Sequence, residues 1–237
     1  MSPEISLFNG AAWYLAFLFS TTLHEASHAL VGLKLGDDTA HRGGQVTLDP
    51  IPHIRREPFG LGLFPIVTLI LSLKSGGIGV FGFASAPFDI RWAIAYPKRA
   101  AWMALAGPAA NFTLALLAGI SIRTGIALGF FTAHGRLPYW QVVGPVSNAL
   151  AEPLSVLFSL FFYINLLLGF FNLFPIPPLD GFSMLLFFVP DRHAIKIFQF
   201  RQKFGMVMPL LMFGFSGIFW RLFGPVFTKL SDIVAPL

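Results

Sequence analysis

Apolar runs of near-bilayer length, joined by short connections that hold most of the basic residues, leave this chain few ways to fold. Hydrophobic residues make up 55% of its 237 positions and charged residues only 11%, against about 25% charged in a soluble domain. The mean hydropathy is +0.72. Too little polar surface exists to coat a soluble globule, and several runs approach the roughly 20 apolar residues that cross a bilayer. The bulk of the chain is therefore expected in a membrane.

Helices are predicted over Phe8 to Leu35, Phe59 to Leu73, Arg99 to Ile122, Leu154 to Phe174 and Gly205 to Phe223, with a short apolar piece from Phe182 to Val189. Within the polar stretch after the first helix, Gln45 to Asp49 alternates like a short strand. The apolar but glycine-rich stretch Gly76 to Ala86 reads as a strand or re-entrant segment, sheltered by protein if it enters the membrane. The expected architecture is an all-α polytopic membrane protein of about five to six transmembrane helices, with a short β or re-entrant element. No connection is long enough for a soluble module, so residues 1–237 are expected to form one membrane domain.

The charge balance of +5 raises nucleic acid as a partner, but no basic run with interleaved aromatics occurs. Lys34, Arg42, Arg55 and Arg56, then Arg91, Lys98 and Arg99, then Arg192, Lys196, Arg201 and Lys203 sit between apolar runs. These groups predict cytoplasmic loops beside anionic lipid, with the Arg123–Glu152 connection outside. The ends of the first helix and of the Leu154–Phe174 helix then share the cytoplasmic side. Cysteine is absent, so disulfides and thiolate ligands are excluded, and any transition-metal site must use histidine and carboxylate.

Such a set stands inside the first helix, in Leu23-His24-Glu25-Ala26-Ser27-His28. Residues four apart share a helix face, so His24 and His28 can chelate one ion, with Glu25 placed to accept a proton from water. Random placement of this residue composition yields the pattern in about 0.3% of chains. His24, Glu25 and His28 are also the only acidic, basic or histidine residues between Phe8 and Leu33. Each charged group in hydrocarbon costs around 2.5–3.5 kcal/mol on insertion scales, and a bound metal offsets that cost for all three. From Pro153 to Pro190 the one charged residue is Asp180. It follows Asn172-Leu-Phe-Pro175-Ile-Pro-Pro178-Leu179, where prolines end a helix. Asp180 reads as the third ligand of a zinc site, or as an ordinary helix cap.

These residues resemble the site-2 protease family of intramembrane zinc metalloproteases, in its compact prokaryotic form. The resemblance rests on HExxH in an apolar helix and on Asn172-x-x-Pro175-x-x-Pro178-Leu179-Asp180-Gly181. Gly36-Asp37, Val46-Thr-Leu48 with Pro50 and His53, and Ala106-Gly-Pro108-Ala-Ala-Asn111 extend it. Relatives often read His-Ile-Asp-Pro where this chain has His53-Ile-Arg-Arg, and Lys-Pro where it has Ala86-Pro87. The resemblance implies Zn2+ held by His24, His28 and Asp180, with Glu25 as general base. Asn111 and Asn172 match polar positions near the family's active site and are candidates for substrate or oxyanion contacts, or for helix–helix hydrogen bonds. The implied substrate is a transmembrane or membrane-associated peptide in the bilayer. The implied location is a prokaryotic plasma membrane, with the active site nearer the cytoplasm. A zinc-binding channel or transporter is the alternative, since buried histidine and aspartate also mark ion paths. The sequence does not set the oligomeric state. His41, His53, His134 and His193 are expected to be solvated loop residues. Gly214-Phe-Ser216-Gly217 is like a rhomboid serine motif, but no histidine follows His193 to serve as its base.

Overall fold

The computed structural model describes residues 3–74, 79–133, 137–146, 150–205 and 208–236, with side chains left out for 3–7, 205 and 208–216. His134 and Gly76 to Ile78 lie outside the described residues, as do the side chains of Gly214 to Ser216.

Helix α1 runs Pro3–Leu35, at 1.5 Å per residue about 50 Å long. Gly36, with φ of 103°, turns the chain sharply out of it, a conformation open to glycine at no steric cost. The polar stretch that follows holds α2 (Thr39–Arg42) and α3 (Pro50–Arg56). Gln45 to Asp49 forms bends rather than the expected strand. Side chains there bond the backbone locally: Thr47 Oγ1 accepts from the Asp49 amide and Asp49 Oδ1 from the Ile51 amide. Pro50 and Pro52 offer no amide for a ladder.

The expected Phe59–Leu73 helix divides into a π-helical turn, Pro58–Leu63, and α4, Phe64–Lys74. Together with α3 it makes a chain bent by 117°. Residues 79–86 then carry no regular secondary structure. They lie along this bent unit through Phe83 N to Gly60 O at 3.1 Å and Phe81 N to Thr68 Oγ1 at 3.0 Å.

After α5 (Ile90–Ala95), α6 (Pro97–Ala127) is the central post, packed on α1 and on α7 (Ala151–Asn172). The connection between α6 and α7 carries a pattern that periodicity did not reveal: strands β1 (Phe131–Thr132) and β2 (Gly144–Pro145) pair antiparallel. Past the proline run come α8 (Asp180–Met184), two 3-10 turns (Leu185–Phe187 and Asp191–His193), α9 (Ala194–Gly205) and α10 (Met208–Val234). The last helix extends well beyond the expected Phe223.

Among the described residues, α6 and α7 are each long and apolar enough to span a bilayer, and the bent α3–α4 unit is a third candidate. The fold is thus mostly helical and membrane-like. Helix α1 has the length, but His24, Glu25 and His28 dilute its apolar character. Two apolar clusters hold the helices together. Trp13, Phe17, Leu160, Tyr163 and Phe223 join α1, α7 and α10, while Trp92, Met103, Leu186 and Phe198 join α5, α6, the first 3-10 turn and α9. Trp102, Leu116, Leu117 and Ile120 of α6 and Ile66, Ile70 and Leu71 of α4 face outward, as lipid contact requires.

Candidate metal centre

The N-terminal end of α6 fixes both halves of the site. Leu35 O, at the end of α1, accepts from Arg99 Nη1 at 3.1 Å and Trp92 Nε1 at 3.3 Å. Lys98 Nζ donates to Leu186 O, Phe187 O and Val189 O at 2.8, 3.2 and 2.9 Å, capping the turn after α8. Adjacent residues of one helix therefore hold the segment bearing both histidines and the segment bearing Asp180. Asp37 adds a third tie: its Oδ2 accepts from the Asp89 amide at 3.0 Å, anchoring the start of α5.

Within this frame His24 Nε2, His28 Nε2 and Asp180 Oδ2 converge. The nitrogens stand 3.0 Å apart, and the carboxylate oxygen is 3.0 Å from one and 3.3 Å from the other. His24 and His28 are 5% exposed. The far ring nitrogens decide what these atoms carry. His28 Nδ1 lies 2.7 Å from Met103 O. A carbonyl only accepts, so that nitrogen holds a proton, and in the neutral imidazole Nε2 presents a lone pair. His24 Nδ1 lies 2.5 Å from Asn111 Oδ1, which imposes the same tautomer. With both imidazoles neutral, two nitrogen lone pairs and a carboxylate oxygen face one another, an arrangement that a cation satisfies. Zinc bonds of 2.0–2.1 Å at tetrahedral angles place ligand atoms about 3.3 Å apart, close to these separations. The donor set fits zinc.

Two glycines make the convergence sterically possible. A Cβ on Gly107 of α6 would stand 2.5 Å from His24 Nε2 and 2.6 Å from His24 Cε1, and would also overlap His28 Nε2. A Cβ on Gly181 would meet Phe174 O at 2.5 Å and the carbonyl of Leu173 closer still. Only glycine lets the chain double back on the end of α7, and that reversal brings Asp180 to the histidines.

Glu25 is buried beside its neighbours, and its Oε2 has no hydrogen-bond partner. A buried carboxylate oxygen without a partner is costly in a purely structural role, and it is what a proton acceptor requires. Asn111 is fully buried, with Oδ1 on His24 and Nδ2 on Asn165 Oδ1 at 2.8 Å. Asn172 Nδ2 donates to Leu168 O, one turn back on its own helix.

Residues 12–215 match peptidase family M50. The chain belongs to that family. Among its relatives, "Putative zinc metalloprotease YwhC" of Bacillus subtilis (strain 168) is 32% identical over 200 residues, 84% of this chain and 78% of that protein. "Putative zinc metalloprotease Rip2" of Mycolicibacterium smegmatis is 32% identical over 170 residues, covering 71% of this chain and 54% of that protein. "Putative zinc metalloprotease Rip2" of Mycobacterium tuberculosis (strain ATCC 35801 / TMC 107 / Erdman) is 30% identical over 213 residues, covering 87% of this chain and 71% of that protein. No solved structure matches.

For this M50 chain the sequence pattern missed several contributors. Ser20 and Asn165 sit unremarked in apolar helices, though a lone amide in a span is itself a signal. Arg201, grouped with the basic loop residues, turns inward from α9 and donates from Nη1 to Ser183 Oγ at 2.7 Å. Burial lowers the pKa of its guanidinium, against the pull of the nearby Asp180 and Glu25 carboxylates. No sequence signal separated it from Lys196 and Lys203. His53 is 1% exposed, not solvated, and its Nε2 meets Thr47 O at 3.1 Å. His41 is exposed and His193 half-buried, both away from the three donors.

Proposed function

We propose that this M50 peptidase is a zinc-dependent endopeptidase that hydrolyses peptide bonds of transmembrane or membrane-associated substrates within the bilayer. One observation carries the reading. Three lone-pair donors converge deep in the fold, and the unpartnered carboxylate of Glu25 sits on the same turn as two of them. The names of the relatives support zinc as the metal.

His24, His28 and Asp180 hold the zinc, and Asn111 and the Met103 carbonyl orient the two rings. When bound, zinc supplies Lewis-acid chemistry, lowering the pKa of water and polarising the scissile carbonyl. Glu25 takes the proton released as water attacks and returns it to the departing amine. The apolar walls formed by α6 and α7 exclude bulk water. Asn172 remains a candidate for substrate contact at the rim.

A helical substrate hides its amides in hydrogen bonds, so it must unwind before cleavage. Residues 79–86, free of helix and ladder and with Phe81 and Phe83 more than half exposed, offer a surface beside which an unwound segment can lie. Helices α1 and α10 complete the set of membrane spans. With the basic ends cytoplasmic, His24 and His28 stand eleven and seven residues before Leu35, about 16 and 10 Å from that end of a helix about 50 Å long. The metal is then nearer the cytoplasmic side of a prokaryotic plasma membrane.

The test is cleavage of a transmembrane model substrate in proteoliposomes by wild-type and Glu25→Gln protein loaded with zinc. The variant should retain the metal and lose about 10²–10⁴-fold in rate. Wild-type turnover by Glu25→Gln would refute the reading.

A further inference from the structure

Whether His24 serves as a ligand depends on which of its nitrogens carries the proton, and the atoms that settle this lie outside the metal site. Phe161 O, a backbone carbonyl that only accepts, lies 2.9 Å from the side chain of Asn165. The group facing it must be the amide NH2, which also donates to Ser20 Oγ at 2.9 Å. Asn165 therefore turns its oxygen toward Asn111, at 2.8 Å. Asn111 must meet that oxygen with its own NH2, whose second hydrogen points at Ser20 O at 3.4 Å. The Asn111 oxygen is left facing His24 Nδ1, which must donate. Asn111, Asn165 and Ser20 are all fully buried, so water cannot substitute for a misdirected group.

The opposite orientation of Asn111 has a definite consequence. Its NH2 would face His24 Nδ1, moving the ring proton to Nε2, where it points at Asp180 Oδ2. His24 would then be a hydrogen-bond donor to Asp180 and could not bind a metal. The flip is opposed because it sets the Asn111 oxygen against two buried acceptors, Asn165 Oδ1 and Ser20 O. The first is the nearer by 0.6 Å, from 2.8 and 3.4 Å.

We propose that Asn165, oriented by the Phe161 carbonyl and Ser20 Oγ, is a positioning residue that fixes the amide direction of Asn111 and thereby makes His24 a zinc ligand. It acts through Asn111 and touches neither metal nor substrate. The proposal rests on the metal-site reading above and extends it one helix further out, to α7.

Full-length Asn165→Leu, Asn111→Leu and double variants, stripped with chelator, are titrated with zinc against a chromophoric competitor. Asn165→Leu should lose roughly 10- to 100-fold in zinc affinity, the range of an outer-shell change. The double variant should bind no more weakly than Asn111→Leu, because Asn165 bears on the His24 tautomer only through Asn111. A merely structural role predicts additive losses instead. Asn165→Ala, which demands no space, gives the same pattern if leucine does not pack. Nitrogen NMR of labelled imidazole in the zinc-free protein supplies a second readout. Wild type should show His24 protonated at Nδ1, and Asn165→Leu a mixture of tautomers. Unchanged affinity in Asn165→Leu, additive losses or an unchanged tautomer would each overturn the proposal while leaving the zinc site intact. A wild type that binds no zinc would sink the site and the proposal together.

Discussion

Replacing Gly107 by alanine should separate the fold from the metal. The added methyl would stand 2.5 Å from His24 Nε2, whereas ordinary van der Waals contact begins at 3.4 Å. His28 Nε2 would be nearer still, so relief demands at least about 0.9 Å of movement by the imidazoles or by the helices. The helices resist, because α6 is tied to the end of α1 through Arg99, and the adjoining α5 through Trp92. Metal–ligand distances tolerate only about 0.2 Å, so rings displaced this far cannot both coordinate. Two effects oppose each other in stability. Overpacking costs about 1–3 kcal/mol, while alanine in place of glycine inside a helix returns about 1 kcal/mol. The net change in the zinc-free protein is then about 0–2 kcal/mol. Zinc affinity should fall by more than the roughly 100-fold that an outer-shell change produces. Thermal melting of the zinc-free protein, zinc titration and substrate cleavage read these quantities separately. Full zinc binding with wild-type cleavage in Gly107→Ala would show that α6 does not pack on the imidazoles as described.

Asp180→Asn removes the charge of the proposed third ligand, so zinc affinity and cleavage should fall together by more than about 100-fold; retained zinc and activity would make Asp180 only a helix cap. Lys98→Met leaves three carbonyls at the end of the first 3-10 turn without their shared donor and should cost about 1–2 kcal/mol, read as a lower melting temperature with zinc stoichiometry still near one. An undiminished melting temperature would show that the cap contributes nothing. Cysteine placed at Arg55 should react with an impermeant reagent only from the cytoplasmic side, and cysteine at Tyr139 only from the other; the reverse would overturn the positive-inside orientation.

The sequence alone determined what is set by spacing along one helix and by scarcity. His24 and His28 lie four residues apart, so their shared face follows from helical geometry, and Glu25 follows from adjacency. Asp180 stood out because no other charge occurs between Pro153 and Pro190, and a charge in an apolar tract must have a reason. The long apolar runs gave α6 and α7 for the same cause: backbone groups in lipid can be satisfied only within the helix. The strand expected at Gln45 to Asp49 failed because alternation reports which way side chains face. It does not report where backbone amides bond: Gln45 N donates to Ala40 O and Asp49 N to Thr47 Oγ1, and α3 begins at once at Pro50.

Tertiary structure alone decided everything that needs two distant segments in one place. Asp180 is 156 residues from His24, and only the packing of α6 on both neighbours brings the two together. Gly107 and Gly181 look like any other helix or motif glycine until the imidazoles and carbonyls they admit are seen. Arg201 carries the same charge as its neighbours on α9 and differs only in the side of the helix that met α8. The proton on His24 Nδ1 is the clearest case. A tautomer has no signature in sequence, because it is fixed by the direction of the hydrogen bond it meets. Here that direction is set by a chain of buried amides ending at a carbonyl on another helix.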